Sequence, residues 1–292
     1  MTVRGGLCCA LIAAVLLAVS ACETSVDPFV ESDRYFSVFG YLDAGADTQF
    51  VRVSPLRRGV PVSPDPLDAG VTLENLATGR TVTLRDSVFT YGDGRRAHNF
   101  WTAEQIVPGA TYRLTVTRSD GAASTATVSV PAAPPEVGLD TGSSIGVVNP
   151  PAQVITVDGV AAVADVQVRY VLADGTSRLA VSYLPALNRF ASGRFVATGN
   201  LYEDLRQRTS GACPAVAAAE VFVAAAVPGW PDFLALSDEE LVLPDAFGNV
   251  EGGLGFVGGI YGRRVPWPGL AGLFGAKQGW CERGCLNRLA GC

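Results

Sequence analysis

From Arg34 onward, apolar and polar positions alternate with a period of two, in short runs separated by turn residues. Tyr35-Phe36-Ser37-Val38-Phe39-Gly40-Tyr41-Leu42 and Gln49 to Ser54 (QFVRVS) are two such runs, divided by the turn Asp43 to Thr48 (DAGADT). Arg57 to Ala69 holds several prolines and no period, which predicts a loop. Val71 to Leu76, the turn Ala77-Thr78-Gly79-Arg80 and Thr81 to Leu84 predict one hairpin; Thr111 to Thr117, the turn Arg118 to Gly121 and Ala123 to Val130 predict another. The lead-in Pro108-Gly109-Ala110-Thr111-Tyr112 is frequent before a strand of a sandwich module. Short strands at this spacing predict an immunoglobulin-like β-sandwich over residues 34–131.

Pro131-Ala132-Ala133-Pro134-Pro135 interrupts the alternation and marks a boundary. Beyond it, Gln153 to Val157, Ala164 to Leu172 and Arg178 to Tyr183 have strand character, with Ala173-Asp174-Gly175-Thr176 turning between the last two. Leu201 to Arg208 (LYEDLRQR) has helix character. Ala215 to Val227 is apolar enough for either state, and Val221-Phe222-Val223 favours a strand. Ser237-Asp238-Glu239-Glu240 is a capping-box pattern that starts a short helix. The expected fold class is mainly β: the N-terminal sandwich, then a second β-rich domain over 136–268 with one or two short helices.

The start of the chain changes the picture from fold to location. Arg4 precedes the uncharged run Leu7 to Val19, which has signal-peptide size and is too short to span a bilayer. The run ends in Val19-Ser20-Ala21-Cys22, which resembles the lipobox of bacterial lipoproteins; a cleaved signal with a chance cysteine is the other reading. The resemblance implies removal of residues 1–21, acylation of Cys22 and stable anchoring through its acyl chains. Residues 22–33, polar and acidic, then form a flexible tether.

Hydrophobic content of 48% with 17% charged residues is that of a folded chain. The net charge of -6 becomes one unit more negative when Arg4 leaves, and it carries no electrostatic footprint for nucleic acid. Of seven cysteines, Cys8 and Cys9 leave with the signal and Cys22 is the lipidation candidate. Cys213, Cys281, Cys285 and Cys292 remain, an even set in an oxidising compartment, and disulfides are expected among them. One arrangement closes a bond within the cysteine-bearing tail, residues 269–292, and ties the tail to Cys213. A metal site fits the spacing poorly without histidine ligands.

Several patterns invite chemistry. GLGFVG within Asn249 to Gly259 matches the glycine fingerprint of dinucleotide-binding proteins, but no strand–helix context surrounds it. The expectation is a glycine-rich turn leading into a strand, where absent side chains let backbones pack closely. Gly142-Ser143-Ser144-Ile145-Gly146 matches the nucleophile-elbow pattern, yet the one histidine, His98, comes earlier in the chain. His98 lies in a polar stretch, Gly92 to Asn99, and is expected in an exposed loop. Glu203/Asp204 and Asp238/Glu239/Glu240 are carboxylate groupings that a glycosidase could use, and helix starts explain them equally well. Trp230, Trp267 and Trp280 could stack on sugars, though core packing is the commoner fate. No catalytic residue, cofactor or metal site is expected.

The order of these features carries a resemblance: lipobox, the strand from Tyr35 to Leu42, VTLENLATGRTVTL, PGATYRLTV, the proline break, and finally NVEGGLGFVGG. Together they resemble the family of Gram-negative lipoproteins catalogued as domain of unknown function 4249, over about residues 22 to 268. Asn249, Gly252, Gly253, Leu254 and Gly255 match its late motif; the cysteine-bearing tail departs from it. The family that the chain resembles has no established biochemical activity, so the resemblance supplies no catalytic residue, and the protein is expected not to be an enzyme. The resemblance implies an accessory lipoprotein of the outer membrane, on its periplasmic or cell-surface face, beside a TonB-dependent transporter in nutrient capture. An envelope adhesin or structural lipoprotein, and a secreted hydrolase using carboxylates, are the alternatives the sandwich leaves open.

Overall fold

Alternation becomes burial wherever a strand lies on a core. In β1 (Phe36–Asp43), Phe36, Val38 and Leu42 are buried; in β2 (Gln49–Pro55), Val51 and Val53 are. A computed structural model describes residues 34–56, 66–141, 153–183, 187–189, 193–209, 215–231 and 248–268. Cys22, Cys213, Cys281, Cys285, Cys292, Trp280, the Gly142–Gly146 pattern, the capping box at 237–240, the 1–21 signal, the 22–33 tether and the 269–292 tail lie outside the described residues.

The protein is mainly β. Its first half continues with β3 (Gly70–Asn75), β4 (Thr81–Thr83), β5 (Arg85–Thr90), β6 (Arg96–Thr102), β7 (Thr111–Thr117) and β8 (Ala123–Ser129). β1-β2-β6-β5 are neighbours in one sheet and β8-β7-β3-β4 in another. Lettered in chain order, these are the A-B-E-D and G-F-C-C′ sheets of an immunoglobulin-like sandwich. A tyrosine corner accompanies them: the buried Tyr112, at the start of β7, accepts a hydrogen bond on its hydroxyl from the Val107 N–H at 2.9 Å. Leu73, Leu114, Val116, Val128 and Phe100 fill the space between the two sheets.

The second half contributes β9 (Glu136–Asp140), β10 (Gln153–Asp158), β11 (Ala162–Leu172), β12 (Arg178–Ser182), β13 (Leu187–Arg189), β14 (Phe195–Gly199), the helix α1 (Leu201–Arg208), β15 (Val216–Ala226), β16 (Val250–Glu251) and β17 (Gly253–Pro266). Leu201 and Leu205, one turn apart, pin α1 to a second core with Val166, Val168, Tyr170, Val221 and Val223. Gln153 Oε1 accepts the first N–H of the helix, from Leu201, at 3.0 Å.

The two cores lie either side of the proline break, but the sheets do not stop there. β17 pairs antiparallel with β15 and parallel with β1, so one eight-stranded sheet runs β12-β11-β15-β17-β1-β2-β6-β5 through both halves. Val257 of β17 belongs to the N-terminal core, 34–131 notwithstanding. Register places Val257 opposite Gly40, and Val265 opposite Val221, with no shift between. Alternation therefore puts the residues that feed both cores on one side of the large sheet. The smaller sheets, β16-β8-β7-β3-β4 and β13-β14-β10-β9, cover that side.

One expectation is corrected here. His98 is not in an exposed loop: it lies in β6, 1% exposed, with Nδ1 at 2.9 Å from Asp86 Oδ2. Its neighbours Arg96 and Asn99 made the stretch look solvated, but a carboxylate partner on the adjacent β5 lets the imidazole be buried.

Candidate functional site

The other side of the large sheet carries the most distinctive surface. Cross-strand register aligns Tyr41 of β1 with Phe50 of β2, Phe50 with Trp101 of β6, and Trp101 with Arg85 of β5. These side chains form a row perpendicular to the strands, with neighbours about 4.8 Å apart. On β17, Gly258 continues the row opposite Tyr41, and the Trp230 ring covers that glycine. The adjacent row runs Phe256, Phe39, Arg52, Asn99 and Ser87. Phe39 is 43% exposed, Tyr41 52% and Phe50 54%.

Cations are stacked onto this surface. Arg85 stands over the Trp101 ring at 5.4 Å, and Arg52 over Tyr91 at 5.4 Å. Phe89 meets Tyr91 edge to face at 5.0 Å. Among the described strand positions on this side of β1, β2, β5, β6 and residues 254–258, the acidic residue is Asp43, which is buried. Its Oδ1 accepts the N–H groups of Gly262 at 2.7 Å and Gly45 at 2.8 Å. The same side of β11 and β15 is different in kind: Asp165 and Glu220 stand there with Gln167 and Arg169.

The late motif supports the surface from beneath. Asn249 donates from Nδ2 to the Val257 carbonyl at 2.8 Å and accepts the Val257 N–H on Oδ1 at 2.9 Å. β15 reaches β17 only from Ile260, so the asparagine amide satisfies the edge that no strand covers at Val257. The Gly252 carbonyl accepts Ser124 Oγ at 2.6 Å and the Tyr35 N–H at 3.2 Å. Gly253 pairs with Phe36, Leu254 faces the aromatic side, and Gly255 has φ of 116° with the Val38 carbonyl where a Cβ would stand. GLGFVG is thus a strand, threaded between the carbonyl-bearing backbones of β1 and β8, rather than a turn before one.

The remaining candidates resolve into structure. Asp204 on α1 accepts the Tyr183 hydroxyl at 2.7 Å, which fastens the helix to the end of β12. Burial pushes the phenols of Tyr183 and Tyr170 well above the ordinary tyrosine range. Trp267 is buried in the second core, and Trp230 packs edge-on against Phe256 at 5.2 Å. A cleft of about 190 Å³ beside Arg80 and Glu104, which pair at 2.9 Å, is small against the several hundred Å³ of ordinary ligand pockets. The aromatic surface escaped the sequence reading, although a signal was present. Phe39, Tyr41 and Phe50 occupy the solvent phase of strands whose other phase is already apolar.

No protein-family model matches the chain, and no curated protein matches it either. Among solved structures, the chain is similar to a pullulanase from Anoxybacillus sp. LM18-11 complexed with maltotriose, at 11% identity over 65% of this chain and 24% of that one, TM-score 0.23. It is also similar to a tetra-tandem repeat from the extending region of a large adhesion protein, at 14% identity over 80% and 49% of the two chains, TM-score 0.21. Bovine butyrophilin is a third, at 11% identity over 80% and 99%, TM-score 0.19. The chain spans about a quarter of the pullulanase, as the 24% coverage states, and likenesses at these TM-scores carry no functional argument.

Proposed function

We propose that the protein is a membrane-anchored, non-enzymatic accessory lipoprotein of the outer membrane, working beside a TonB-dependent transporter in nutrient capture. The observation that best supports the membrane-anchored, non-enzymatic part of this reading is the open aromatic–arginine side of the large sheet. It runs across the adjacent strands β1, β2, β6 and β5, the form of a surface that holds another surface rather than a cavity that turns over a small molecule. The lipobox ending in Cys22 supplies the location, and the late-motif residues Asn249 to Gly255 serve the scaffold beneath the face.

Crosslinking the full-length protein in its native membrane, then identifying its partners by mass spectrometry, tests the reading. A dominant β-barrel transporter is the expected result; a protein spread over the cell surface with no barrel partner would favour the adhesin. Cys22→Ser is expected to abolish acyl labelling, and labelling that persists would remove the anchor from the account.

A further inference from the structure

We infer that the aromatic–arginine side of the large sheet rests on an anionic lipid surface, the headgroup layer of the bilayer that holds the anchor. The inference rests on the lipid-anchored reading above. Phe39, Tyr41, Phe50 and Trp101 form one contiguous patch across β1, β2 and β6. Aromatic side chains of this kind settle where an apolar body meets a wet boundary, as in the belts that flank membranes.

Charge selects the occupant. The chain carries 28 acidic residues against 22 basic ones, yet the exposed charges on these strand positions are Arg52 and Arg85. A second copy docked through the same face would bring these arginines together with no exposed carboxylate from the strand positions to meet them; Asp93, at the edge of the face, is already paired with Arg95. An anionic headgroup offers phosphate, which the planar guanidinium binds through two hydrogen bonds. Each arginine near such a layer adds to the attraction, and salt screens it.

Chain length permits the contact. Residues 22–33 separate Cys22 from Arg34, and at full extension they reach at most about 40 Å. β1 follows at once, and it carries Phe39 and Tyr41. The anchor and the face can therefore engage the same bilayer.

The test uses the chain from residue 22 onward with Cys22→Ser, so that no acyl chain contributes. Its flotation is measured with vesicles of phosphatidylethanolamine alone and of phosphatidylethanolamine mixed with phosphatidylglycerol. Binding to the phosphatidylglycerol vesicles that weakens with salt is expected. Arg52→Glu with Arg85→Glu is expected to lower that binding by at least about tenfold, Phe50→Ser to lower it too, and Arg52→Lys, which keeps the charge and loses the planar fork, to lower it less than Arg52→Glu. Circular dichroism of each variant confirms that the fold is kept. Equal binding to both vesicle types, no binding to either, or indifference to all the face variants would overturn the inference. So would a photocrosslink from position 50 that captures a β-barrel protein instead of lipid. Acyl labelling of the unsubstituted chain is read separately: labelling without vesicle binding sinks the face and leaves the anchor, and vesicle binding without labelling does the reverse.

Discussion

Asp165, on β11, is half-buried, and burial raises its carboxyl above the ordinary aspartate value despite the hydrogen bond from Gln167 Nε2 at 2.6 Å and the nearby Arg169. A carboxyl whose folded value is raised holds its proton more tightly in the native state than in the unfolded one. Stability is then highest below the unfolded value and falls as pH rises through the raised one. Asp165→Asn keeps an acceptor for Gln167 and is expected to raise the melting temperature at pH 7 but not at pH 3; melts followed by circular dichroism at the two pH values decide it. Tyr170 and Tyr183 obey the same logic at the alkaline end. Their folded values are raised by burial, so the unfolded chain releases these protons first and stability drops as pH climbs past about 10. An ultraviolet titration should show these two phenols ionising together with unfolding, and ionisation in a chain that keeps its circular dichroism would contradict the burial. Asn249 tests the late motif. Asn249→Ala strips both hydrogen bonds from the Val257 backbone and is expected to cost roughly 1–3 kcal/mol in urea unfolding.

At the scale of elements, β17 decides the architecture. Where Gly259 passes β8, a Cβ would overlap the Ser129 carbonyl oxygen. Gly259→Ala must therefore push two strands apart, at a cost near the top of the overpacking range, roughly 3 kcal/mol, read from the shift of the unfolding midpoint. The strands whose hydrophobic period was clean were legible from sequence alone: β7 spans Thr111–Thr117 as expected, and Ala215 to Val227 contains the strand Val216–Ala226. The helix Leu201–Arg208 was equally plain. β5 and β6 were not, because His98 and Asp86 satisfy each other only across the pair, a relation that neither run displays by itself. The glycines of β17 hid a central strand because their reason is the backbone that passes over them, which lies far off in the chain. The aromatic face was hidden for a related cause. Its rows exist only in cross-strand register, and register is not written in any one strand.

For the molecule as a whole, the division drawn at the proline break separates the cores while the large sheet joins them through β17. The described residues from Arg34 onward accordingly form one compact unit. Calorimetry is expected to show a single cooperative transition for both cores, and two resolved transitions would mean that β17 couples them weakly. A fragment ending at residue 131 is expected to be markedly less stable than the full chain, since it loses Val257 from its core and leaves β1 with a bare edge.

The parallel pairing of β1 with β17 sets a schedule as well as a shape. Asp43 and Gly262, which hydrogen-bond at that junction, are 219 residues apart. β1 leaves the ribosome among the first strands and β17 among the last. Throughout synthesis the earlier strand has one edge open to pairing with the wrong chain. Closing so long a loop is slow, so the nascent protein is expected to depend on holding chaperones until β17 arrives. Deleting β17 should turn a delay into aggregation.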